Sequence, residues 1–360
     1  MDARLLNMKK NLEEEFNIAV RFHRAGDLTN AERSYRKILE RFPNNPKVIA
    51  CLGTVILQTG FAEKAIIFFN RSLSIDPNQT IALTNLAIAL ADLKRFEESI
   101  LILDKVIKLT PLSSSVLNNR GKTLRGLSRF EDALSDFNLA IKLNPNYPEF
   151  YNNRGNVLKL INRLEDALSD FNLAIKLNPN YPEFYNNRAV VLKEMKRYKE
   201  ALVSLDFAIS LNPYYQEAYI NRGLLLNEMK RYDEALASFD FAISLNTDFA
   251  EVYIDRGNLL NEMRRYEEAL ASYDRAVILK PDLAEAYFNR GILLNEMKRY
   301  EEALANYNRA IGLQVDLDYG LGSILAVKMQ LCDWGWVEQL VNQLIDGIKE
   351  AKKYVCPLQL

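Results

Sequence analysis

The stretch FEDALSDFNLAIKLNPNYPEFYNNRG, residues 130–155, returns 34 residues later as LEDALSDFNLAIKLNPNYPEFYNNRA, residues 164–189. The two copies differ only at Phe130/Leu164 and Gly155/Ala189, which marks a duplication. The same period runs outward in both directions without insertion or deletion and divides residues 9–314 into nine blocks of 34. Pro43, Pro77, Pro111, Pro145, Pro179, Pro213 and Pro281 share one frame position, where Thr247 and Val315 stand in two blocks. Units this short cannot bury an apolar face alone and must stack on their neighbours. The chain is therefore expected to be a solenoid, and a solenoid is usually a recognition surface rather than a reaction vessel.

With the shared proline numbered 32, a small residue recurs at position 8: Gly53, Ala87, Gly121, Gly155, Ala189, Gly223, Gly257 and Gly291. Alanine recurs at position 20, with Ser99 as the exception. Position 24 is aromatic in most blocks (Tyr35, Phe69, Phe137, Phe171, Phe239, Tyr273, Tyr307), and position 4 holds Tyr151, Tyr185, Tyr219, Tyr253 and Tyr287. Small residues let two helices approach closely, and large ones fill the adjacent gaps. This pattern resembles the tetratricopeptide repeat over all nine blocks. The resemblance implies an all-α fold, a right-handed α-solenoid superhelix of antiparallel helix pairs whose first helix lines the concave side.

Each block reads as helix A over positions 2–14 and helix B over positions 17–30, for example Glu149–Ile161 and Leu164–Leu177. Val157, Leu158, Leu160, Leu164, Leu168, Phe171, Ala174, Ile175 and Leu177 have helical spacing. Short turns such as Asn162-Arg163 force the two helices antiparallel, and Pro182 suits a first helical turn, where a missing N–H costs little. Residues 1–8 read as an N-terminal extension. Residues 315–360 read as a divergent tenth pair that caps the stack, with Trp334, Trp336, Leu340, Leu344 and Ile348 covering its open end.

Lys and Arg total 46 against 47 Asp and Glu, a net charge of −1. That balance lacks the basic excess of a nucleic-acid binder. Cys51, Cys332 and Cys356 are too scattered for a disulfide framework or a metal motif and point to a reducing compartment. No membrane span is expected, because the uncharged stretch at residues 77–91, which no other exceeds in length, contains Asn78, Gln79, Thr80, Thr84 and Asn85. Residues 1–16 have no apolar signal core, so the cytoplasm is the default location. No phosphate loop, dinucleotide fingerprint, nucleophile elbow or metal spacing is present, and His23 is the lone histidine. No catalytic residue and no cofactor are expected of this chain.

The candidate binding residues are at position 6: Asn85, Asn119, Asn153, Asn187, Asn221 and Asn289, with Asp255 interrupting the run and Cys51 replacing another rung. An Asn amide offers a donor and an acceptor together and so suits one peptide group of an extended chain. Packed helices lie about 8–10 Å apart and an extended peptide rises about 3.3 Å per residue, so a ladder of this kind would grip every third residue. The alternative is that these amides cap turns or hydrogen-bond the next repeat. The position 7 arginines (Arg120, Arg154, Arg188, Arg222, Arg256, Arg290) read as structural, with stems packed and heads paired to carboxylates. Glu149, Glu183, Glu217, Glu251 and Glu285 at position 2, and Glu194, Glu228, Glu262 and Glu296 at position 13, read as solvated helix surface, with an acidic lining as the alternative. Position 5 carries no cation, which argues against a clamp for a C-terminal carboxylate.

The segment Lys328-Met329-Gln330-Leu331-Cys332-Asp333-Trp334 is similar to the junction that follows the repeats in O-linked N-acetylglucosamine transferase and SPINDLY-like glycosyltransferases. The asparagine run is similar to the ladder with which that family holds protein substrates in extended form. The resemblance implies that this chain is the substrate-recognition part of such an enzyme, with the catalytic lobes lying beyond residue 360. The rival expectation is a stand-alone adaptor for protein complexes, in which the apolar position 5 residues Ile220, Ile254 and Phe288 would carry binding. Self-association through Trp334 and Trp336 is a third.

Overall fold

The computed structural model describes residues 3–313, 320–331 and 345, and these are helices joined by short turns, without a strand among them. The chain forms two compact units, Met1–Pro179 and Asn180–Leu360. The first contains α1 (Ala3–Arg24), α2 (Leu28–Arg41), α3 (Pro46–Gln58), α4 (Ala62–Ile75), α5 (Thr80–Asp92), α6 (Phe96–Leu109), α7 (Ser114–Gly126), α8 (Phe130–Leu143), α9 (Pro148–Leu160) and α10 (Leu164–Leu177). The second contains α11 (Pro182–Glu194), α12 (Tyr198–Leu211), α13 (Gln216–Glu228), α14 (Tyr232–Leu245), α15 (Ala250–Glu262), α16 (Tyr266–Leu279), α17 (Ala284–Glu296), α18 (Tyr300–Gly312) and α19 (Gly320–Gln330). Consecutive helices pack as pairs, and within a unit helix B of each pair also touches helix A of the next. The expected all-α stack of antiparallel pairs is the fold. Helix α1 begins at Ala3 and runs through the expected boundary at residue 9. The tryptophans and the rest of the proposed cap, Leu340, Leu344 and Ile348, lie outside the described residues.

Helix B of the fifth repeat has the expected bounds, whereas helix A starts one residue early, at Pro148, and ends at Leu160. The reason at the start is that proline fills the first helical position without losing a hydrogen bond. The end is set at position 15, where the backbone turns left-handed: Asn162 has φ 60°, Lys230 58° and Lys298 60°, and Gly26 and Gly60 take the same place in the first repeats. Arg163 N–H then donates to Leu158 O (2.8 Å) and Asn162 N–H to Lys159 O (2.9 Å), which satisfies carbonyls the helix would leave orphaned.

The contact that closes each pair joins positions 8 and 24. A Cβ built on Gly223 would lie 2.6 Å from the Phe239 ring, one on Gly257 2.6 Å from Tyr273, and one on Gly121 2.8 Å from Phe137. Where position 8 is Ala87 or Ala189, position 24 is the smaller Leu103 or Leu205; only the first repeat sets Ala19 opposite Tyr35. The aromatic and leucine residues of this set are all buried.

The position 7 arginines tie three helices together. Arg120 donates from Nε and Nη2 to both carboxylate oxygens of Asp136 on α8 (2.7 Å each) and from Nη1 to Asp104 on α6 (2.6 Å). Arg154 holds Asp170 and Asn138 in the same way. In the second unit, Arg222 donates to Ser238 (2.8 Å) and Asp206 (2.9 Å), and Arg256 to Ser272 (2.7 Å) and Asp240 (2.6 Å). The structural reading of these arginines holds. Asp136 is 4% exposed and Asp170 5%, so both need the guanidinium beside them to offset their lost hydration.

Two predictions follow from this packing. Gly223→Ala adds overpacking of about 1–3 kcal/mol, against a helix-propensity gain of about 1 kcal/mol, so urea unfolding should show net destabilisation. Adding Phe239→Leu should recover it, with a coupling energy of about 1 kcal/mol or more; additive single effects would disprove the close-approach account. Lys230→Gly should raise stability by about 0.5–1 kcal/mol by relieving its left-handed backbone, and Gly60→Val should lower it. Equal stabilities in all three chains would remove the role given to position 15.

Candidate functional site

Within each unit, the A helices of neighbouring repeats contact one another: α3 with α5, α5 with α7 and α7 with α9, then α11 with α13, α13 with α15 and α15 with α17. Position 6 lies on this row. Every rung from Asn85 to Asn289, including Asp255, is half-buried. Their partners are now visible. Asn153 Nδ2 donates to Asn118 Oδ1 (2.9 Å), and Asn221 Nδ2 to Asn186 Oδ1 (2.8 Å). Asn85 Nδ2 donates to Thr54 Oγ1 (2.8 Å) and Asn289 Nδ2 to Asn258 Oδ1 (3.1 Å). The inter-repeat hydrogen bond that was the alternative to peptide binding is therefore present at these four rungs. It engages one N–H of each amide and leaves the carbonyl oxygen to other partners.

The partners at positions 5 and 9 escaped the sequence reading, which weighed position 5 for its lack of cations and for its apolar residues but not for its asparagines. Asn186 is fully buried and also donates to Glu217 (3.2 Å). The pairing of Asn118 with Asn153, and of Asn186 with Asn221, across 35 residues was a signal open to inspection. The apolar position 5 residues behave differently. Ile254 is 2% exposed inside a core cluster, Ile220 packs against the same cluster, and the Phe288 ring lies tilted against Tyr307 at 5.5 Å between ring centres. Ile254 cannot form part of an apolar binding surface, because its side chain is already committed to the core.

Asp255 is the rung whose charge is most constrained. Burial, then the nearby charge of Glu285, raises its pKa to about 6, with Glu251 adding to the rise and Lys193 opposing it. Other carboxylates on this face are tied to neighbours: Glu228 to Lys193 (3.2 Å) and Glu251 to Lys280 (3.0 Å). His23, the lone histidine, bridges Gln58 Oε1 (2.9 Å) and the Tyr35 hydroxyl (3.4 Å). Cys51, at the replaced rung, is half-buried, and burial pushes its thiol pKa up. Between α5 and α7 lies a crevice of about 160 Å³, lined in part by Asn119, Lys122, Thr123 and Arg125. Arg125, at position 12, was not singled out from the sequence. No group of His, Cys, Asp or Glu among the described residues is arranged to hold a metal, and no described helix is long and apolar enough to cross a membrane.

Family models described as TPR repeat match residues 121–161 and 257–298. Those described as tetratricopeptide repeat match 148–181 and 284–315, 171–203, and 81–111 and 216–249. The chain is a tetratricopeptide repeat protein. Among solved structures, this repeat chain is similar to a chain of the APC/C hetero-tetramer Cut9-Hcn1, with 16% identity and a TM-score of 0.60 over 74% of this chain and 52% of that one. It thus spans about half the length of that relative. It is also similar to yeast Tom70, with 16% identity and a TM-score of 0.51 over 93% of this chain and 91% of that one. Identity at this level shows the shared fold alone. No curated protein matches the chain.

The raised pKa of Asp255 has a defined sign. Between about pH 4 and pH 6 the folded chain keeps a proton that the unfolded chain has released, so this group's contribution to stability falls as pH rises through that window. Asp255→Asn should therefore gain on the wild type between pH 4.5 and pH 7 by about 1–2 kcal/mol, read from urea unfolding at both pH values. A difference that does not change with pH would refute the assignment.

Proposed function

We propose that this repeat protein is an interaction scaffold that holds extended peptide segments along its A-helix face by hydrogen bonds to their backbone. The observation that carries this reading is the setting of the rung amides. Asn153 and Asn221 each have one N–H fixed by the preceding repeat, which orients the amide plane. The carbonyl oxygen and the second N–H then present one acceptor and one donor, the pair that a peptide group needs. Repetition at the helix–helix spacing of about 8–10 Å matches every third residue of an extended strand, so recognition of this kind reads backbone rather than side chains. A partner helix docking through apolar position 5 residues is less favoured, since Ile254 is buried.

The finer reading is the substrate-recognition part of an O-linked N-acetylglucosamine transferase or SPINDLY-like glycosyltransferase. It rests on residues 328–334, of which residues 328–331 fall within the described part, at and just past the end of α19. A stand-alone adaptor is its rival. The coding sequence past Leu360 separates them: a continuing frame with an α/β pattern supports the first, and a stop codon the second.

The ladder itself is tested with twelve-residue peptides selected from a displayed library on the wild-type chain. Replacing Asn153, Asn187 and Asn221 together with Ala should weaken their binding about tenfold or more, at a stability loss of about 1 kcal/mol for each inter-repeat hydrogen bond removed, with helicity by circular dichroism retained. Unchanged affinity would rule out the ladder.

A further inference from the structure

At four rungs the amide is anchored on the preceding repeat from one of two places. Asn153 and Asn221 use position 5, 35 residues earlier, and Asn85 and Asn289 use position 9, 31 residues earlier. Counted back from Asp255, those places hold Ile220 and Leu224, both packed against the core. The repeat before Asp255 thus offers apolar side chains where its neighbours find an amide or a hydroxyl. Burial and charge act on Asp255, and no hydrogen bond or ion pair among the described residues engages it.

Helix α15, which carries Asp255, is packed against α13, α14, α16 and α17. On α13, Glu228 is tied to Lys193 (3.2 Å) and Glu217 accepts from Asn186 (3.2 Å). On α14 and α16, Asp240 and Ser272 are taken up by Arg256. On α17, the charge of Glu285 acts directly on Asp255. Glu251, on α15 itself, adds to it although Lys280 holds it at 3.0 Å, and Lys193 on α11 opposes both. Two carboxylates against one committed cation, above an apolar surface, disfavour a further negative charge at this rung.

A protonated carboxyl has the inventory of a side-chain amide at a rung: an O–H donor and a carbonyl acceptor. An ionised carboxylate only accepts. It can take the N–H of a peptide group, but it sets a negative charge against that chain's carbonyl oxygen. An extended segment laid over the rung also removes water from the charge, a cost that a proton avoids. We propose that Asp255 is a proton-dependent rung, which takes up a proton as an extended segment binds between Asn221 and Asn289, so that this face holds backbone more tightly in mildly acidic than in neutral solution. The inference rests on the peptide-binding reading and adds control by pH to the same site. The free carboxyl, with its pKa raised to about 6, needs only a small further rise on binding to link affinity to protons near neutrality. A lysine or arginine side chain seated on the ionised carboxylate predicts the opposite dependence.

The test uses the full chain and twelve-residue library peptides with blocked ends and no ionisable side chain. Those retained are weakened by Asn221→Ala or Asn289→Ala, which places them across Asp255. Calorimetric titration at pH 5 and pH 8 should show affinity about fivefold or more higher at pH 5. At pH 6.5, two buffers of unequal ionisation enthalpy should report net proton uptake on binding. Asp255→Asn should bind equally at both pH values, without proton uptake. Glu285→Gln removes a neighbouring negative charge and should move the change in affinity to lower pH, which keeps the test decisive if Asp255→Asn fails to fold. Asp255→Asn retains His23, so pH dependence that survives this variant would overturn the proposal. Affinity independent of pH in the wild type, or affinity that falls toward pH 5, would overturn it as well. If no peptide depends on Asn221 or Asn289, the ladder reading itself has failed and this inference with it; if peptides depend on them without linkage to protons, the ladder stands and only the role of Asp255 falls.

Discussion

The approach of position 8 to position 24 is the constraint on which the rest of the structure depends. With no Cβ at Gly223 or Gly257, the ring of Phe239 or Tyr273 lies against the backbone of helix A, and the two helices of a repeat pack closer than side chains would permit. Where the small residue grows to Ala, the ring shrinks to Leu, as at Ala87/Leu103 and Ala189/Leu205. This exchange keeps summed volume nearly constant, the condition under which a core tolerates substitution. Arg120, Arg154, Arg222, Arg256 and Arg290 then pin their pairs to the helix before each.

The same contact aims the candidate site. Positions 6 and 8 are about 200° apart around a helix, so packing position 8 into helix B turns position 6 toward the neighbouring A helix. Position 5 lies about 60° from position 8, which accounts for the burial of Ile254 and for the use of Asn118 and Asn186 as anchors rather than contact residues. At Asn153 and Asn221 one N–H of the amide belongs to the stack, and the proposed peptide contact would use the remaining donor and acceptor. Asp255 has no N–H to give. Placed in the same half-buried setting near Glu285, it responds by holding its proton to higher pH.

Much of the fold was legible in the sequence because a strict period constrains every block at once. The proline frame, the small–large pair at 8 and 24 and the arginine at 7 each recur, and each has one plausible physical role. From α2 to α18 helix bounds were read to within a residue; the discrepancy at Pro148 arose because helix A was read from position 2, although a first-turn proline loses no hydrogen bond. The position 6 set was legible as a set, whereas the hydrogen bonds that orient it were not.

By itself the sequence determined that the chain is a stack of helix pairs and which residues share a face within one repeat, since spacing along a helix converts directly into direction around it. The tertiary structure decided what those residues meet across repeats: Asn153 finding Asn118, Asn289 finding Asn258, and Asp255 facing Glu285. Contacts between repeats depend on the offset and crossing of neighbouring helices. These are set by the volumes packed between them, and a one-dimensional period does not encode them.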